Sequence, residues 1–508
     1  FTHTHTHTHT RARARTTCPW SSRTDHPEAN ARCGFDVDVD GSLAIIGAWG
    51  HSGGNAGKGG AYVFRLDKHS VTQEARLAPT TLAAGDRLGR SVSISGMTAV
   101  ACAPESHSNA GKCFVFDLAG RPTDPSPGMP AGNTATIQDT LSAPDPAVQA
   151  FGRSVKIDGD TIVVGADGAA YVFVRACPGM SAKPCRWSLQ STLVPADPAD
   201  HTSEFGQCVA ASATVPGGAL DVVAVGSTGA AAFVFRYATQ RGQNSPAWSQ
   251  EARLTPGSVE VGAQFGFACD LSFGFLVVGS HDETQAGGAG MAASGSAYIW
   301  HYGSTVVSSH PGSWGTAQQV TSIDNSSGDM FGYDVAVDAS PGIGPARVVV
   351  GAFGAGSSAT YDQANGAAYL FEVQADETWL QQDKLFASDG SHNDRFGFAV
   401  AVSGGNILVG ARGDDDDGSN SGSSYALVLP SSETGEQVVD PPAWVAPTCS
   451  SCSSFAEFYQ CTIPMNLLCC DDDFGEDCSG GAPSTCSREC AAEVGPIVVA
   501  CADFLATK

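Results

Sequence analysis

The sequence predicts an all-β protein, a seven-bladed β-propeller of four-stranded antiparallel blades followed by a small disulfide-rich module. Three observations predict it. A unit opening on Phe-Gly or a close variant recurs seven times along the 508 residues, the same order of strand-length segments follows it, and nine of the 17 cysteines fall after residue 448. Repetition at a period near ~60 residues marks supersecondary units that cannot bury an apolar face alone and must stack.

The units open at CGFDVDV (Cys33), LGRSVSI (Leu88), FGRSVKI (Phe151), FGQCVAA (Phe205), FGFACDL (Phe265), FGYDVAV (Phe331) and FGFAVAV (Phe396). The opening segment has a period-2 or continuous apolar pattern of strand length, as around Val400 to Val402. Next comes a continuous apolar run ending in Gly-Ala or Gly-Ser: LAIIGA at Leu43, TIVVGA at Thr161, FLVVGS at Phe275, RVVVGA at Arg347 and NILVGA at Asn406. The third segment pairs small residues with aromatics, as in AAYVF at Ala169 and SAYIW at Ser296. Trp187, Trp248, Trp314 and Trp379 mark the fourth, each followed by an aliphatic residue at Leu193, Leu254, Val320 or Leu385. Four such strands joined by short glycine-rich turns form a meander, and seven meanders packed around an axis bury both faces of each sheet. The glycine of each Phe-Gly permits a tight bend and close backbone approach, and the aromatic wedges between neighbouring sheets.

From Cys33 to Leu429 these units resemble the FG-GAP repeats of integrin α-subunit head propellers, through the Phe-Gly openings, the VVGA core, AYVF and the Trp-marked strand. The resemblance implies the propeller fold, and ligand contacts on the rim where loops joining second to third and fourth to first strands emerge. Calcium-binding members carry a D-x-[DN]-x-D-G loop between first and second strands. Here the turns at Ser95, Asp158 and Ser403 are too short for an ion that takes six to eight oxygens, so those metal sites do not carry over.

The seventh unit stops after its third strand, SSYALVLP at Ser423 to Pro430, and the segment around Trp20 is expected to supply the missing strand. The domain reading is residues 1–15 as a disordered low-complexity tract of alternating Thr-His and Arg-Ala that resembles translated simple-sequence DNA, 16–430 as propeller, 431–447 as linker and 448–508 as cysteine-rich module.

A net charge of −25 disfavours a nucleic-acid partner, and no run of 18 apolar residues offers a transmembrane span. The cysteine density points to an oxidising compartment, hence a secreted or cell-surface protein. Cys102 with Cys113 and Cys177 with Cys185 each flank a short loop and are expected as disulfides. The sequon at Asn325 fits an exported glycoprotein.

Asp36, Asp38 and Asp40 begin like a calcium loop, but position twelve is Gly47 and the aspartates alternate with valines, as on a strand with one polar face. Asp414, Asp415, Asp416 and Asp417 are a candidate for weak calcium binding, with a solvated loop as the competing reading. Arg412-Gly413-Asp414 is an RGD tripeptide, yet Gly410, Ala411 and Gly413 belong to the repeat, and Arg412 occupies the place of Trp49 and Phe353. No cofactor is expected, and no catalytic motif appears, the histidines sharing no repeat position. The expected function is an extracellular recognition or adhesion platform for a protein or glycan. Its ligand docks on the long-loop rim, with Asp282 and Tyr361 as contacts and Arg412 to Asp414 as an exposed minor one. The alternatives are a non-catalytic arm of a larger secreted enzyme, of the lipid-anchor phospholipase type, and a structural coat or wall component.

Overall fold

The computed structural model describes residues 9–429 apart from 12–13, 19–28, 52–56, 68–69, 120–134, 177–184, 213–221, 230, 240–244, 258–261, 285–292, 304–312, 341–343 and 357–364. The linker, the cysteine-rich module, Trp20, Cys177 and Tyr361 lie outside the described residues. All seven meanders are present. Blade one is Cys33–Asp40, Leu43–Ala48, Ala61–Leu66 and Val71–Leu77; blade two is Ser91–Ser95, Thr98–Ala103, Lys112–Asp117 and Thr136–Leu141. The later blades repeat the order, with first strands Ser154–Asp158, Phe205–Ser212, Cys269–Ser272, Val335–Asp338 and Phe396–Ser403.

Each first strand packs beside that of the next blade, and Phe396–Ser403 of blade seven beside Cys33–Asp40 of blade one, so the seven inner strands close a ring. Seven separate apolar cores follow, one between each pair of adjacent blades. The Phe-Gly aromatics Phe151, Phe205, Phe265, Phe331 and Phe396 are buried in them. Each wedges against the rings of its own third strand, as Phe331 does 5.4 Å from Tyr369 and 6.0 Å from Phe371. The continuous apolar runs fit this position, since a central strand between two sheets has no solvent face.

The glycines are required where blades touch. Gly397 has φ +85°, and a Cβ there would lie 2.0 Å from the Ala367 carbonyl oxygen. A Cβ on Gly351 of blade six would in turn lie 2.1 Å from the Gly397 oxygen, and one on Gly410 of blade seven 2.1 Å from Gly34 of blade one, across the closing junction. Cys102 takes the place of this second-strand glycine in blade two, where it is bonded to Cys113 as expected.

Ring closure comes from the chain's N-terminus, but earlier than Trp20 suggests. Ala14–Thr16 pairs antiparallel with Ser423–Val428 as the fourth strand of blade seven, and His9–Arg11 adds a parallel fifth strand beside Trp379–Phe386 of blade six. Residues 9–11 and 14–15 of the low-complexity tract therefore lie in strands, which corrects the expectation of disorder there, while residues 1–8 and 12–13 lie outside the described residues. The tract's composition carries no folding signal; Ala14–Thr16 supplies the fourth strand that blade seven lacks, and His9–Arg11 adds to a blade six that already has four. Cys18 is bonded to Cys33 just after the closing strand, and Cys208 to Cys269 joins the inner strands of blades four and five. Cys185 is disulfide-bonded.

Candidate functional site

The inner strands line an axial channel, and the repeat assigns each level of it a task. The sixth residue after each Phe-Gly-type glycine sits at the mouth facing the first-turn loops. There Asp40 accepts the Gly96 N–H, Ser95 that of Gly159, Ser212 that of Phe273, Ser272 that of Ala339, Asp338 that of Gly404 and Ser403 that of Gly41. Each latch joins one blade to the next, the last across the closure. They occupy N–H groups that an inner strand edge would otherwise leave unpaired.

Asp36 and Asp38 do the same deeper in the channel. Asp36 Oδ2 accepts from the Val92 N–H at 2.6 Å, and Asp38 Oδ2 from Ser93 Oγ at 2.6 Å and the Ile94 N–H at 3.0 Å. The alternation of aspartate and valine is thus a strand whose polar face serves the neighbouring blade. Burial, with repulsion from Asp334, pushes the Asp36 carboxyl up to about 8. Burial raises Asp334 to about 7. The Lys156 ammonium lies 3.3 Å from Asp38 and 3.7 Å from Asp270, and these carboxylates raise its pKa against the opposing effect of burial.

At the other mouth, on the long-loop rim, the residue following each of those glycines forms a ring: Phe35, Arg90, Arg153, Gln207, Phe267, Tyr333 and Phe398. Four aromatics from blades five, six, seven and one make a continuous arc, with centroids 5.1 Å apart for Phe267 and Tyr333, 4.7 Å for Tyr333 and Phe398, and 5.1 Å for Phe398 and Phe35. The residues following the second strands add Trp49, His281, Phe353 and Arg412. Phe353 meets Tyr333 at 4.6 Å, and His281 meets Phe267 at 4.7 Å. Arg412 lies over Phe398 at 3.9 Å and Phe35 at 5.5 Å. Burial beside Arg395, Arg32 and Arg90 lowers its pKa to about 10, with Tyr333 opposing.

The RGD tripeptide is not an exposed motif. Asp414 is 1% exposed, its carboxylate accepting from Tyr425 Oη at 2.8 Å and pairing with Arg15 at 3.0 Å. His51, Glu283 and Asp414 share one repeat position, and each meets the tyrosine of its own third strand, Tyr62 at 2.7 Å, Tyr298 at 2.7 Å and Tyr425 at 2.8 Å. The position ties the end of the second strand to the third. Asp416 and Asp417 also pair with Arg15, at 3.2 and 3.0 Å, so three of the four aspartates proposed for calcium are held by one guanidinium. Among the described residues no group of three or more ligating side chains is arranged for a metal ion. Asp282 is half-exposed beside His281 on this rim. Both amide atoms of Asn325 are buried, so a glycan there requires the loop to rearrange.

Comparison with known families gives five matches to the FG-GAP repeat, at residues 71–116, 136–173, 248–300, 314–371 and 379–427. Each runs from the outer strand of one blade through the third strand of the next. The chain is an FG-GAP repeat propeller. The FG-GAP unit thus straddles two blades, which forces neighbouring sheets to share each repeat. No curated protein matches the chain. The propeller is consistent with a protein-binding platform, its disulfides fit an extracellular setting, and no described helix is long and apolar enough to cross a membrane.

Proposed function

We propose that this FG-GAP propeller is an exported, non-enzymatic recognition platform that engages an extracellular protein or glycan through its long-loop rim, near the axial mouth. The observation that supports this is an asymmetry between the mouths. Side chains at the first-turn mouth are engaged in latches between blades, whereas the long-loop mouth carries an arc of aromatics and arginines, half-buried at Phe35, Phe267 and Tyr333 and buried at Phe398, that makes no such latch. Side chains on a rigid scaffold that are free of structural duty are where binding resides, and aromatic and arginine residues dominate binding hot spots.

A screen of the exported chain against extracellular proteins and glycans supplies the partner. Trp49→Ala and Asp282→Ala then weaken its capture by tenfold or more, while Met97→Ser in a first-turn loop leaves it unchanged. Capture insensitive to both rim substitutions and lost in Met97→Ser contradicts the assignment.

A further inference from the structure

The long-loop mouth carries a charge anomaly. In a protein of net charge −25, five arginines gather in the sector of blades seven, one and two. Arg32, Arg87 and Arg395 share one repeat position, just before the Phe-Gly-type pair, each with a left-handed φ of 55°, 56° and 59°. Arg90 follows such a glycine, and Arg412 follows a second strand.

Aromatic faces, rather than carboxylates, hold them. Arg32 and Arg87 lie over Trp49 at 4.5 and 4.7 Å, Arg90 over Phe35 at 4.5 Å and Arg395 over Phe353 at 5.9 Å. Arg87 pairs with Glu105 at 3.3 Å, and among the described residues the other four have no carboxylate at ion-pair distance. Arg412 Nε is buried with no hydrogen-bond partner. The carboxyls below them, Asp36 and Asp334, are directed to backbone N–H groups of the next blade. Mutual repulsion adds to burial in lowering the pKa of Arg32.

Like charges packed this closely oppose folding, and nothing in the ring geometry requires them. A guanidinium stacked on a ring still presents its N–H edge, which matches oxyanions in a bidentate fork. Three successive blades carry these arginines, so they approach the mouth from three directions. That suits a tetrahedral group with acceptors on every side better than a planar carboxylate. We propose that this sector binds a sulfate or phosphate group of the ligand. The inference rests on the reading of the long-loop rim as the binding face.

Calorimetric titration of the full chain with sodium sulfate, sodium phosphate and sodium acetate at constant ionic strength tests it. Sulfate and phosphate bind saturably at one site, and acetate binds at least tenfold more weakly. Arg32→Gln with Arg395→Gln weakens oxyanion binding at least tenfold, while the melting temperature holds or rises because repulsion is relieved. Arg65→Gln, on the third strand of blade one, leaves binding unchanged. A sulfated oligosaccharide and a phosphoserine peptide then identify the source, since the tighter of the two carries the group. Absent saturation, or binding indifferent to the double substitution, overturns the inference. If oxyanions fail to bind while Trp49→Ala still weakens partner capture, the rim reading stands without it. If oxyanions bind through Arg32 and Arg395 while partner capture ignores the rim, this inference stands and the partner docks elsewhere.

Discussion

Gly397 and Gly41 separate two uses of glycine that look alike in the sequence. Both have positive φ, but a Cβ on Gly397 meets backbone at 2.0 Å, whereas around Gly41 nothing lies within 4 Å. Gly397→Ala therefore costs roughly 3 kcal/mol or more, through overpacking added to strain. Gly41→Ala costs about 1 kcal/mol, the left-handed penalty alone. Equilibrium denaturation of the two variants measures the difference. The recurrence of these glycines was legible from spacing, while the glycine that each one faces in the neighbouring blade was not, because contact between blades has no signature along the chain. The RGD tripeptide shows the same boundary. Alignment with Trp49 and Phe353 marked it as part of the repeat, yet the guanidinium that pairs with its Asp414 comes from Arg15, some 400 residues away. Tyr425→Phe removes the hydroxyl that reaches Asp414 and Asp389 and is expected to cost about 1–3 kcal/mol. The same denaturation curves check it, and a chelator should leave the native melting temperature unchanged because Arg15 already holds the acidic loop.

At the scale of elements, strands of repeated type were readable from apolar runs, and the closing strand was not. Ala14–Thr16 lies in a tract whose composition argues against structure, and only the open edge of Ser423–Val428 explains it. The local disulfide Cys102–Cys113 was visible as two cysteines flanking a short loop, whereas Cys208–Cys269 spans 61 residues and joins different blades. Its signal is that both cysteines fall within inner strands of consecutive units, at a register that only the ring reveals. Cys18–Cys33 closes a loop of 15 residues behind the closing strand, so Cys18→Ser is expected to lose about 3 kcal/mol. Because Ala14–Thr16 completes blade seven, proteolysis of that variant should cut first next to the closing strand. Cleavage beginning within blades two to five would contradict a closure made at the N-terminus.

For the whole molecule, channel burial sets a pH dependence. Asp36 and Asp334 are raised to about 8 and about 7 in the folded state, and Asp394 to about 7, each chiefly by burial. A raised carboxyl binds more protons folded than unfolded between its unfolded value near ~4 and its folded value, so its contribution to stability is fully present below the former and lost as pH climbs through the latter. The melting temperature should thus be higher at pH 5 than at pH 8.5, and Asp36→Asn, which keeps one acceptor for Val92, should flatten the slope. The ring also separates its mouths, one carrying the latches between blades and the other the binding face proposed above. The most direct test of that division is a hydrogen-exchange footprint of the full chain with and without the partner from the extracellular screen. Protection at residues 32–35, 87–90, 395–398 and 412–414 is the result this account predicts. Protection confined to the first-turn segments 40–43, 95–98, 158–161 and 403–406 would contradict it.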